Sequence, residues 1–270
     1  MKILVSNDDG VYAPGIVLLS NHLAERGHVV TVVAPDFERS GAGHSITTDR
    51  SLSLRREASP EYGGAVRVFG CSGTPADCVM AGLHLAEPEA ELVLSGINSG
   101  PNLGCDVYYS GTVAAAREGY FENRRSVAVS LSRASRLEDA HYETALAAVD
   151  ALIERSDVFL RTVACLNVNV PNLPLSMVRG LRMTFAGRRR YENRVRLSVD
   201  ANENSDKNPD EETRWFRVGG TPLWDEDPEG SDVRAVSEGF VALTFLRYDT
   251  TDYGLNGDVD PEVVQKIKLR

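Results

Sequence analysis

From Lys2 to Val170, apolar β-branched runs alternate with helix-like segments, and that order constrains the fold more than any other feature of the chain. Strands are expected at Lys2–Ser6, His28–Ala34, Glu91–Ser95, Ser126–Leu131 and Val163–Val170. Helices are expected between them at Pro14–Arg26, Pro75–Leu85, Thr112–Tyr120 and Glu138–Ile153. In the first helix Ile16, Leu19 and Leu23 recur at three and four residues, and Pro14 stands in the first turn, where its missing N–H costs nothing. Gly27 ends that helix, Pro35 stops the second strand, and Thr74 is placed to cap the helix that opens at Pro75. A βαβα order calls for a mostly parallel sheet with helices on both faces and right-handed crossovers. The expected class is therefore α/β, a Rossmann-like three-layer αβα fold.

The pattern changes near Gly180. Leu181–Phe185, Tyr191–Val199, Trp215–Val218 and Phe240–Leu246 are β-type runs, and the polar stretch Ala201–Glu212 reads as a loop or hairpin tip in water. This is a C-terminal antiparallel β extension, suited to an arm that contacts another subunit. Asp260–Leu269 reads as a short helix with Pro261 in its first turn. The expected division is a catalytic core over 1–180, a β-hairpin oligomerisation arm over 181–230, and C-terminal strands and helix over 231–270. The last part either returns to the core or swaps with a partner subunit.

Chemistry concentrates in four loops, each after an expected strand. Asn7-Asp8-Asp9-Gly10 places two adjacent carboxylates at a strand end. They repel each other, and oxygen-only ligands suit a hard divalent cation such as Mg²⁺ or Mn²⁺. Either aspartate alone can instead cap the helix that follows. The small residues Ser40-Gly41-Ala42-Gly43 let backbone N–H groups approach an anion, or simply form an open loop, and His44 follows them without an evident partner. In Ser95–Gly104, Asn98 can offer a neutral carbonyl oxygen to a cation and Asn102 can donate to a phosphate, although each can also serve its own turn. Ser110 or Thr112 opens a helix whose free N–H groups and hydroxyl suit a phosphate oxygen, with plain capping as the alternative.

The chain of 270 residues carries a formal net charge of −10, which argues against binding nucleic-acid polymers or anionic membranes. No stretch approaches the roughly 18 apolar residues of a membrane span, and the N-terminus does not read as a signal peptide. A cytoplasmic protein is expected. Cys71, Cys78, Cys105 and Cys165 fit no metal-binding spacing and are expected to be reduced.

Five blocks together resemble the SurE family, the survival protein E phosphatases. They are KILVSNDDG with APG at Lys2–Gly15, APD and SGAG within Ala34–Gly43, GTPADCV at Gly73–Val79, SGIN and GPNLG within Ser95–Gly104, and YSGTVAAA and EG within Tyr109–Gly119. Weaker likeness continues at Leu166–Pro171, Gly187–Tyr191 and Ser231–Phe240. The resemblance implies a divalent-metal-dependent phosphomonoesterase acting on nucleoside 5′-monophosphates, and also at the 3′ position, with one Mg²⁺ or Mn²⁺ per subunit. By motif it implies metal ligands at Asp8, Asp9, Ser40 and Asn98, with the two aspartates catalytic. Phosphate contacts carry over to Gly41, Gly43, Asn102, Ser110 and Thr112. It also implies a homodimer or homotetramer built with the C-terminal strands. A non-catalytic nucleotide sensor and an exopolyphosphatase are the alternatives. A dinucleotide oxidoreductase is disfavoured, because no G-x-G-x-x-G follows the first strand.

Overall fold

The computed structural model describes residues 1–132, 137–197, 215–224 and 227–251. The expected tip at Ala201–Glu212 and the expected helix at Asp260–Leu269 lie outside these residues, as does the end of the run from Tyr191 to Val199.

The strands of the core are β1 (Lys2–Ser6), β2 (Val29–Pro35), β3 (Leu54–Glu57), β4 (Arg67–Cys71), β5 (Leu92–Ser99), β6 (Arg125–Leu131) and β7 (Cys165–Val170). Helices α1 (Pro14–Glu25), α2 (Pro75–Ala81), α3 (Gly111–Phe121), α4 (Tyr142–Glu154) and the single turn α5 (Ser156–Phe159) are interleaved with them. After β7 come β8 (Leu181–Met183), β9 (Arg190–Glu192), β10 (Val195–Leu197), β11 (Phe216–Val218), β12 (Thr221–Leu223), α6 (Asp232–Ser237) and β13 (Val241–Leu246).

Among the described residues the main sheet runs β3-β4-β2-β1-β5-β6-β7-β13-β8. The pairs from β4 through β7 are parallel, whereas β3 and β13 join their neighbours β4 and β7 antiparallel. Side chains alternate across the sheet, so each strand must feed two cores. Ile3 and Val5 pack with Leu19 and Leu23 of α1 and Val149 and Leu152 of α4. Leu4 points the other way, into a cluster with Val79 of α2 and Ala115 of α3. These are the three layers of a doubly wound α/β fold.

Several elements differ from the sequence reading. β3 and β4 extend the sheet beyond β2 and were not expected; β3 is short, half exposed and charged, so it lacks the apolar signature of a buried strand. The expected helix at Pro75–Leu85 is α2, opened by a capping box between Thr74 and Asp77, and it loosens into a π-helical turn at Gly82–Ala86. The fourth helix starts at Tyr142, with a separate 3₁₀ turn over Leu137–Asp139. The run from Tyr191 splits into β9 and β10 around Asn193, which adopts φ 50°. β9 pairs with β12 and β10 with β11, both antiparallel, as two ribbons off the main sheet. β8 pairs parallel to β13, so the C-terminal extension is not antiparallel throughout. α6, capped by the Ser231 side chain, was missed because it is only six residues long. Among the described residues no helix is long and apolar enough to cross a membrane.

Candidate active site

The carboxyl ends of β1 and β5 open into a cavity of about 590 Å³ lined by Asp8, Asp9, Glu38, Ser40, Gly41, Asn98, Ser99, Pro101, Asn102, Asp106, Tyr109 and Ser110. Ligands of open α/β sheets bind outside the carboxyl ends of their strands. The sequence places these residues in four separate loops, and parallel pairing of β1 with β5, Ser6 opposite Ser95, brings the first and third together.

Asp8 is 4% exposed. The Thr112 hydroxyl donates to its carboxylate, and the backbone N–H of Arg39 donates to its carbonyl at 2.7 Å. The second contact ties the loop carrying Ser40 to the end of β1. Gly111 explains the close approach of α3, because a Cβ there would sit 2.7 Å from the Asp8 Cβ. Asp9 accepts from the Ser99 N–H at 3.3 Å. Burial raises the pKa of both carboxyls; for Asp8 the Thr112 hydrogen bond partly offsets this. Asp9 is pushed up to about 6, first by burial and then by the charge of Asp8. Among the described residues no lysine or arginine pairs with either aspartate.

Two adjacent carboxylates, Asp8 buried and Asp9 partly buried, with no protein cation among the described residues form a donor set that a divalent ion fits. Among the described residues no cluster of three or more His, Cys, Asp or Glu side chains is arranged to hold a metal. A complete shell therefore needs neutral oxygens as well. Ser40 and Asn98 line the same cavity and can supply them. The Ser40 hydroxyl donates to Glu38 at 2.7 Å and keeps its lone pairs, and the Asn98 amide nitrogen donates to the Gly100 carbonyl at 2.8 Å, leaving its own oxygen to accept. Asn98 does not sit in a loop after a strand. It belongs to β5, which continues past Ser95 through an irregularity in its pairing with β6.

The expected phosphate contacts divide. Gly41, Asn102 and Ser110 line the cavity; Gly43 and Thr112 do not. The Gly43 N–H is spent on the Tyr109 carbonyl at 3.1 Å, and the Thr112 side chain is spent on Asp8. Ser110 lines the cavity and caps α3 by accepting from the Val113 N–H at 3.0 Å, while the backbone N–H groups of Gly111 and Thr112 hydrogen-bond Asp8, so the start of this helix holds the buried acid at the cavity wall. Asn102 is held on every side. Its N–H donates to Asn169 at 2.7 Å, its side-chain amide donates to Ser130 at 2.8 Å, and its carbonyl accepts from Asn167 and Asn169. One of its two amide hydrogens is thus unavailable to a phosphate.

The sequence reading missed Glu38, Ser99, Asp106 and Tyr109 in the wall, and the Asn167–Asn169 pair behind it. The asparagines carried a legible signal: two polar residues at i and i+2 in an otherwise apolar buried strand put both on one face. His44 also gains a partner, with its Nε2 2.8 Å from Glu118 of α3 and its ring stacked on Phe121.

Fold and cavity define a doubly wound α/β protein whose acidic, oxygen-rich pocket opens at the carboxyl edge of its sheet beside a helix N-terminus. The family model described as survival protein SurE matches residues 3–193. A 5′-nucleotidase SurE of Synechococcus elongatus is 39% identical over 96% of this chain and 98% of its own. A 5′/3′-nucleotidase SurE of Photorhabdus laumondii is 43% identical over 94% and 92% respectively. The solved structure of the SurE protein from Aquifex aeolicus has a TM-score of 0.78 at 31% identity, covering 98% of this chain and all of its own. The chain belongs to the SurE family.

Proposed function

We propose that this protein is a metal-dependent nucleotidase that hydrolyses nucleoside 5′-monophosphates, and 3′-monophosphates as well, to nucleoside and phosphate. One observation supports the reading above all: Asp8, Asp9, Ser40 and Asn98, spread over 91 positions of the chain, line one cavity together with the N-terminus of α3. The names of the relatives agree with it.

Asp8, Asp9, Ser40 and Asn98 would hold one Mg²⁺ or Mn²⁺. When bound, such an ion supplies Lewis acidity at the phosphoryl group. The chain's own groups do the rest. The Ser110 hydroxyl, the second amide hydrogen of Asn102 and the backbone at Gly41 bear negative charge on the phosphoryl oxygens. Asp8, held in one orientation by Thr112, orients the attacking water or takes its proton. A water oxygen bonds to phosphorus, the bond from phosphorus to the sugar oxygen breaks, and one proton of that water ends on the departing sugar oxygen while the other stays with the phosphate. Gly43 and Thr112 act behind the wall, by fixing the loop and Asp8.

The ribbons after β8 fit the arm expected over 181–230. Val195, Leu197, Phe216 and Val218 pair across β10–β11 and are all exposed, which suits burial against a second copy in a homodimer or homotetramer.

Phosphate release from AMP, measured with Mn²⁺ and then with excess EDTA, tests the reading. Turnover abolished by EDTA and restored by Mn²⁺ is expected. Undiminished turnover in EDTA defeats the metal assignment, and tight AMP binding without turnover in Mn²⁺ makes the protein a sensor.

A further inference from the structure

A second cavity, of about 460 Å³, lies across the 3₁₀ turn Gly104–Tyr108 from the acidic one. The two share that turn as a wall: Asp106 and Tyr109 face the first, Cys105 and Tyr108 the second. Their electrostatics are opposite. Arg117 of α3 and Arg247 both line the second cavity. The Arg117 Nε is closed off from solvent and has no hydrogen-bond partner among the described residues. Its guanidinium lies 5.9 Å from the Tyr108 ring centroid, and among the described residues it makes no ion pair. Arg247 likewise makes none among the described residues.

Unpaired guanidinium groups are conspicuous in a chain with 39 acidic and 29 basic side chains. A partly buried arginine that has given up water without gaining a carboxylate costs stability unless an anion completes it. The remaining wall suits an oxyanion. Thr184 and Thr244 line the cavity with hydroxyls 2.7 Å apart, and because they bond each other and Thr184 also bonds the Leu243 carbonyl at 3.2 Å, at most one hydroxyl hydrogen is left for an anion. Asp249 is a lining carboxylate that opposes an anion, and it accepts from the Thr251 N–H at 2.9 Å. Exposed rings of Tyr108 and Phe245 stand at the same cavity and offer a flat surface to a base.

The geometry points to a second binding site, separate from the acidic cavity, that takes a phosphate dianion, either free or as a monoester. Arg117 is its anchor through charge-assisted hydrogen bonds, and Arg247 adds charge at the mouth. Because the 3₁₀ turn is common to both cavities, an anion here bears on the segment that carries Asp106 and Tyr109. The binding site does not depend on the nucleotidase reading and can be tested without turnover.

Cys105 is an exposed cysteine in this cavity, whereas Cys71, Cys78 and Cys165 are buried, so its alkylation reports occupancy locally. The rate of iodoacetamide labelling at Cys105, followed by mass spectrometry on the full chain in EDTA at low salt, is measured against inorganic phosphate and against AMP. Saturable protection is expected in the wild type. Arg117→Met raises the half-protecting concentration about tenfold or more, the loss of one charge-assisted contact. Arg247→Met, an exposed change with little bearing on folding, raises it less. Stronger protection by AMP than by phosphate assigns a monoester, and equal protection assigns the free anion. No protection in the wild type, protection undiminished in both arginine variants, or protection lost in Asp9→Asn while both arginines remain, would overturn the site.

Discussion

The Thr112 hydroxyl donates a hydrogen bond to the Asp8 carboxylate across 104 positions of sequence, and it does so from inside the first turn of α3. The helix whose capping residue Ser110 lines the cavity therefore also sets the orientation of the buried acid. Thr112→Val keeps the shape and removes the donor. It should lower kcat for AMP about tenfold or more with a smaller change in KM, and should cost roughly 1 kcal/mol of stability. Thr112→Ser should recover most of the rate. Steady-state kinetics with thermal melts checks both, and a Thr112→Val enzyme with unchanged kcat would count against the positioning role.

Metal-free stability should fall as pH rises. Asp9 is pushed up to about 6 in the folded chain, so the folded state holds the proton more tightly than the unfolded state does. The stabilising contribution is complete below the ordinary carboxyl range near 4 and is lost as pH rises through about 6. Asp8 acts in the same direction. The combined swing at Asp9 is at most about 3 kcal/mol. Melting in EDTA from pH 4 to pH 8 measures it against Asp9→Asn, in which this part of the slope should vanish.

Asp9→Asn should stabilise the metal-free protein at pH 8 by about 3–6 °C in Tm, because it removes a partly buried like charge beside Asp8. The same substitution should abolish hydrolysis of AMP. A variant that gains stability and loses activity separates a site built for a cation from a structural aspartate. Near-full turnover in Asp9→Asn would refute the site.

Mn²⁺ should raise the Tm of the wild type, since an ion that binds only the folded chain at 100 times its Kd contributes about 2.7 kcal/mol. Asn98→Ala removes a neutral donor and should shift the Mn²⁺ needed for half-maximal rate upward by about tenfold, with kcat largely recovered at saturation. Wild-type Mn²⁺ dependence in that variant would remove Asn98 from the ligand set.

Gly111→Ala should be more damaging than its size suggests. The added Cβ would meet the Asp8 Cβ at 2.7 Å and the Pro75 ring at 2.9 Å. Destabilisation of about 1–3 kcal/mol is expected, together with a loss of activity as α3 is pushed away from Asp8. Chemical denaturation and AMP turnover measure the two effects on one sample.

Local sequence decided a great deal of this protein. The βαβα rhythm, the Thr74 cap, the strand-end aspartates and the oxygen-rich loops were all legible, because each depends on neighbours a few positions apart. The short strands β3, β4 and β12 and the helix α6 were not, since three to six residues give periodicity too little length to register. Asp106 escaped for another reason: its partners Arg189 and Tyr191 lie 83 and 85 positions away in the chain. Only the tertiary structure decided that Gly43 and Thr112 stand behind the cavity wall and Ser110 within it, and that His44 meets Glu118. Among the described residues it also left Arg117 without a carboxylate. Residue type sets what a side chain can donate, accept or ionise, but packing alone decides which groups share a cavity and which have already spent their hydrogen bonds.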